Sequence, residues 1–174
     1  MLTNILIVVV VAIVALLAYA YTRPDTFTVQ RSASIKAPPE KIAALIDDFH
    51  AWTAWSPWEK RDPNLKRTYS GPAKGKGAVY EWDGNSKVGT GRMEILETAP
   101  SKVGIKLDFL KPFEGHNIAT FTMVPAGDAT NVTWNMSGPM AFIPKVMGVF
   151  MSMDKMIGND FEAGLASLKT IAEK

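Results

Sequence analysis

The chain holds 174 residues with 19 basic and 17 acidic side chains, a net charge of +2, and no cysteine. That size fits one domain, the near-neutral balance argues against a dedicated nucleic-acid binder, and disulfides, thiolate metal sites and cysteine nucleophiles are excluded. Every charged side chain follows Thr22, so the first 22 residues stand apart from the rest.

From Ile5 to Tyr21 each residue is apolar or aromatic. As a helix, Leu2 to Tyr21 would be about 30 Å long, the thickness of a bilayer's hydrocarbon core. The many Val and Ile residues would weaken such a helix in water, but in lipid the backbone must bond to itself. Tyr19 and Tyr21 then fall at the interface. The rival reading is a cleaved secretory signal, since Ala18-Tyr19-Ala20 has the small-x-small form of a cleavage site. A missing basic flank and an apolar run beyond the usual length of about 7 to 15 residues favour a retained anchor. Arg23, Arg31 and Lys36 follow the span while only the α-amine precedes it, which favours a cytoplasmic domain by the positive-inside rule. The expected division is an anchor over 1–22, a linker over 23–26 and one domain over 27–174.

Phe27 to Ile35 alternates as a half-buried strand with Arg31 as the exception on its apolar side. Arg31 is read either as snorkelling to solvent or as meeting an anionic head group. Pro38-Pro39-Glu40 opens a helix with Ile42, Ala43, Leu45, Ile46 and Phe49 on its apolar stripe. A loop dense in Trp and Pro follows. Period-2 runs then recur at Ala78, Tyr80 and Trp82, at Met93 and Ile95, at Val103 to Phe109, at Ala119 to Met123 and at Val132 to Met136. Short turn signals between them predict an antiparallel meander. From about Ile143 onward Val146, Phe150, Met153, Ile157, Phe161, Leu165, Leu168 and Ile171 step by three or four, predicting one long amphipathic helix. Gly148, Gly158 and Gly164 interrupt it, either for close approach or as tolerated glycines.

Catalytic signatures are sparse. His50 and His116 lie apart without a matching serine or aspartate pattern, and with no H-E-x-x-H no metal site is expected. Gly71, Gly75 and Gly77 with Lys74 and Lys76 satisfy no nucleotide-binding pattern. The segment from Lys60 to Lys76 carries Lys60, Arg61, Lys66, Arg67, Lys74 and Lys76 against Asp62 alone. Beside a bilayer such a patch would contact anionic lipid; otherwise it is a solvated loop.

Three stretches carry a family resemblance: Ser34 to Ile42, Trp52-Thr53-Ala54-Trp55-Ser56-Pro57-Trp58, and Thr130 to Met136, with support from Lys66 to Gly71 and Phe109 to Gly115. From Phe27 to the C-terminus the chain resembles the START and Bet v 1-like superfamily, more narrowly its polyketide cyclase/dehydrase branch and the membrane-anchored bacterial members of that branch. The resemblance implies an α+β helix-grip fold, a curved antiparallel sheet of about seven strands wrapped on a long C-terminal helix. It implies a cavity between sheet and helix that holds a hydrophobic small molecule or lipid, and a single-pass protein of the bacterial inner membrane. The wall would come from Trp55 and Trp58 in the loop, from Tyr80, Trp82, Phe109, Trp134 and Met136 on the strands, and from Met153 and Ile157 on the last helix. No catalytic residue transfers by motif and no cofactor is implied. An enzyme of cyclase, dehydratase or hydrolase type on an apolar substrate, and a co-chaperone-like interaction module with a filled interior, remain the alternatives.

Overall fold

The computed structural model describes residues 1–174, the side chain of Met153 excepted. Helix α1 (Leu2–Tyr21) is long and apolar enough to cross a membrane. After it come β1 (Thr26–Ile35), α2 (Pro39–Ile46), the single turn α3 (Trp52–Trp55), and strands β2 (Lys66–Ser70), β3 (Val79–Asp83), β4 (Thr90–Ala99), β5 (Lys102–Lys111), β6 (Gly115–Ala126) and β7 (Ala129–Pro139). Helices α4 (Phe142–Phe150) and α5 (Met153–Ala172) end the chain. The strands form one antiparallel sheet in the order β1-β7-β6-β5-β4-β3-β2. This is the α+β helix-grip architecture, with a curved open sheet closing on a C-terminal helix.

The inner face of the sheet divides along its strands. Ile95 and Ile105 pair across β4 and β5 and are wholly buried, as are Val103, Phe121 and Val132. Over them lie Ile42 and Ile46 of α2 together with Phe49 and Trp55. The last carbonyls of α2, which a helix leaves without intrahelical partners, are met by two indoles: Trp52 Nε1 donates to Ile46 O at 2.8 Å and Trp55 Nε1 to Leu45 O at 3.0 Å. The tryptophans after α2 therefore end the helix and cover the core in one step.

The helix expected from Ile143 onward is two helices. Met151 and Ser152 are extended, and the Ser152 side chain accepts the Lys155 N–H at the start of α5. A serine N-cap with Asp154 in the first turn is a helix start signal, and it prevails over the apolar periodicity that runs through it.

Arg31 neither snorkels into open water nor stands free to meet a head group. Its Nε donates to Glu162 Oε1 at 2.6 Å, and its Nη atoms to the Asp154 carboxylate at 2.9 and 3.0 Å. The guanidinium thereby grips two turns of α5, and the Arg31 hydrogen bond holds the Asp154 carboxyl below the usual carboxylate range. Gly158 lies between the two acids, where a Cβ would fall 2.0 Å from Arg31 Nη2. The glycine is there for close approach, whereas Gly148 faces open space.

Between the central strands of the sheet, Asp108 on β5 faces His116 on β6. His116 Nδ1 lies 2.8 Å from Asp108 Oδ1, and Lys106 Nζ lies 2.9 Å from Oδ2. The hydrogen bond to Asp108 raises the His116 pKa. Partial burial would lift that of Asp108, but its bonds to Lys106 and His116 prevail and hold it low.

Two outcomes follow from these contacts. Replacing glycine by alanine inside a helix ordinarily stabilises by about 1 kcal/mol. Gly158→Ala is expected to give no such gain in the native chain and to recover it in an Arg31→Ala background, measured by urea unfolding followed through tryptophan fluorescence. For His116, a raised folded pKa means that its contribution is fully present below the unfolded value of about 6.5 and is lost as pH rises through the folded value. An NMR titration should place His116 above the usual histidine value and Asp108→Asn should return it there; an unchanged midpoint in the variant would contradict the assignment.

Candidate functional site

Beyond the dry core, α5 and the sheet stand apart and enclose a cavity of about 590 Å³. Its floor follows the strand register. Trp82 and Phe109 lie on one rung, and Tyr80, Met93, Leu107 and Asn117 on the next, each paired with its neighbour across β3, β4, β5 and β6. Ala119, Met136 and Trp134 extend the wall toward β7, and Ile157 and Phe161 of α5 close it from above. Trp134 stacks on Phe161 with ring centroids 4.0 Å apart and planes 6° apart. This contact sets the height of the helix over the sheet. The mouth is formed by Asp25, Ala141 and Pro144 on one side and Phe113 to His116 on the other.

Of the expected wall residues, Trp58, Tyr80, Trp82, Phe109, Trp134, Met136 and Ile157 all line this space. Trp55 does not. It is packed beneath α2 against Phe121 and Trp134, and Trp52, read only as part of the same cluster, lines the cavity instead. The Met153 side chain lies outside the described residues.

The cavity also holds polar groups. The Glu59 side chain is 6% exposed, accepts from Tyr80 Oη at 2.6 Å, and accepts from Arg67 Nε at 2.7 Å. Burial, then the hydrogen bond to Glu59, raise the Tyr80 phenol far above its ordinary value, so it remains a neutral donor. Asp160 lines the wall from α5 and is ion-paired with Arg61. Asn117, 6% exposed, makes no side-chain hydrogen bond among the described residues. Its amide oxygen lies where a Cβ on Gly138 would be, 2.1 Å away, so glycine at that position of β7 makes room for it.

Asn117 was within reach of sequence reading, since it stands two residues before Ala119 on the same face of its strand. Glu59 and Asp160 were not. Glu59 sits in an irregular loop without a period, and Asp160 occupies the flank of an apolar helical stripe. His50 is outside the cavity, stacked on Tyr69 with centroids 4.1 Å apart and bonded to Asp48.

The basic segment is partly committed within the domain. Lys66 to Ser70 is an edge strand, and Arg61 and Arg67 are committed to Asp160 and Glu59. Lys66 pairs with Asp83 at one end of β2, whereas Lys74 and Lys76 follow its other end, about 13 Å along the strand. Lys60 remains exposed beside the loop.

Comparison with known proteins agrees with this geometry. A search of curated proteins gives no match. Among solved structures, a structural-genomics protein from Chromobacterium violaceum is 18% identical with a TM-score of 0.60, covering 87% of this chain and 99% of the other. The Aha1 dimer from Colwellia psychrerythraea is 19% identical with a TM-score of 0.57, covering 84% and 96%. The di-domain ARO/CYC StfQ of the steffimycin biosynthetic pathway is 11% identical with a TM-score of 0.63, covering 85% of this chain and 51% of that one. At these identities the likeness is one of fold. The family model for polyketide cyclase/dehydrase and lipid transport proteins matches residues 26–173, and the chain belongs to that family.

Proposed function

We propose that this protein is a membrane-anchored binding protein that holds a hydrophobic small molecule or lipid between the sheet and α5. The observation that carries the reading is the cavity itself, about 590 Å³ and walled chiefly by aromatic and aliphatic side chains. Ligand sites commonly fall between about 300 and 1,000 Å³ and combine an apolar lining with a few placed polar groups. The position of the mouth supports a ligand that comes from a membrane. Asp25 lines it only a few residues beyond α1, and the Met140 N–H donates to Asp25 O at 2.7 Å, tying the linker to the segment before α4.

An enzyme acting on such a ligand is the second reading, favoured by the Glu59 carboxylate on the cavity wall. Glu59 is, however, held by two donors, Tyr80 and Arg67, an arrangement suited to fixing a polar contact. A co-chaperone-like module would need its interior filled, and the cavity speaks against that. For orientation, Arg23 and Lys36 still follow the anchor, although Arg31 is engaged with α5. These flanking charges support a cytoplasmic domain in a bacterial inner membrane.

The binding reading predicts that the purified full chain carries a co-purifying apolar molecule, detected by native mass spectrometry and solvent extraction. Ala119→Phe should fill the cavity floor and remove that molecule while the fold persists, with an overpacking cost of about 1 to 3 kcal/mol. Retention of the same ligand by a folded Ala119→Phe variant would exclude this cavity as the site. For topology, protease added to intact spheroplasts should leave the domain undigested. Digestion from outside would reverse the orientation.

A further inference from the structure

On the reading that the cavity holds an amphiphile, we propose that it selects one whose head donates hydrogen bonds and carries no negative charge, an alcohol or an amine, and rejects carboxylates and phosphates. Four carboxylates line the cavity or its mouth: Asp25, Glu59, Glu114 and Asp160. No lysine or arginine lines it among the described residues. The cations that balance these acids stand outside the lining, Arg67 on Glu59, Arg61 on Asp160 and Lys145 on Asp25. His116 is the one basic side chain at the mouth, and it is engaged by Asp108 and Glu114.

The consequence is directional. A carboxylate is an acceptor with about four lone-pair sites, of which the Tyr80 hydroxyl and the Arg67 Nε occupy one on each oxygen of Glu59. What Glu59 still offers a ligand is acceptance alone. A hydroxyl or ammonium group satisfies it with a charge-assisted hydrogen bond, while an anion in the same place would be buried next to a like charge. Asn117 supplies an independent second point. The residue is more than nine-tenths buried, lines the same space and makes no side-chain hydrogen bond among the described residues, so its amide is free to meet a polar group of the ligand. Tyr80 and Asn117 lie on one rung of the sheet, with Met93 and Leu107 between them. The two polar fixtures thus stand three strand spacings apart, about 14 Å, so a head bonded to Glu59 lays its tail across Met93 and Leu107 toward Trp134, Met136 and Ile157.

The test uses the full chain in phosphatidylcholine nanodiscs at neutral pH, with empty nanodiscs to correct for partition into lipid. Decanol, decylamine, decanoate and decane share one chain length, and tryptophan fluorescence reports occupancy because Trp52, Trp58, Trp82 and Trp134 line the cavity. Decanol and decylamine are expected to bind at least about tenfold more tightly than decanoate and decane, the scale of one hydrogen bond to a charged acceptor. Glu59→Gln should narrow the gap between decylamine and decanoate, provided near-UV circular dichroism matches the native chain. The native series decides the matter even if that variant does not fold. Equal binding of all four, or tightest binding of decanoate, would overturn the selectivity while leaving the binding reading intact. Binding of none would overturn both.

Discussion

The stacking of Phe161 on Trp134 fixes the separation between α5 and the sheet, and most of the molecule's character depends on that separation. Two rings nearly parallel at 4.0 Å hold the helix at the height of an indole above β7. Where α2 and the adjoining tryptophans come down onto the sheet, the interior is dry and close-packed, with Ile95, Ile105 and Phe121 fully buried. Where they do not reach, the same height leaves room between α5 and the strands β3 to β6. The cavity is thus a consequence of two covering elements of different reach on one curved face.

Charge is arranged around this space in layers. The inner layer is acidic and the outer layer basic, with Glu59 and Arg67 the most buried example. Burying an ion pair is costly unless its remaining lone pairs are met, and Tyr80 meets one of them. Since the cations are held outside the wall, the interior is electrically compensated without being electrically symmetric.

Much of the fold could be read from the alternation of residues along the strands and the stepping of apolar residues along α5, because both follow from one buried face. The exceptions share a physical origin. Arg31 broke the strand pattern, but its partners Asp154 and Glu162 are more than a hundred residues away and nothing local names them. The boundary at Ser152 was written in a capping residue, a signal of one or two positions set against an apolar stepping that continues across it. Glu59 enters the cavity from a loop, where direction is decided by the tertiary path of the chain. Asn117, by contrast, was fully visible as a polar residue on an inward position. It is an inward polar residue at the start of the apolar run that Ala119, Phe121 and Met123 continue.

The joint between the apolar helix α1 and the domain spans only residues 22–25 and is bonded twice. Asp25 accepts the Met140 N–H on its carbonyl and the Lys145 ammonium on its carboxylate, and Lys145 is nearly buried despite its charge. On the membrane-anchored reading, this joint makes α1 a lever as well as a tether. A change in its tilt, such as a thicker or thinner membrane imposes, would be transmitted within a few residues to the base of α4 and the rim of the cavity. On that reading, membrane thickness is a mechanical input to the pocket.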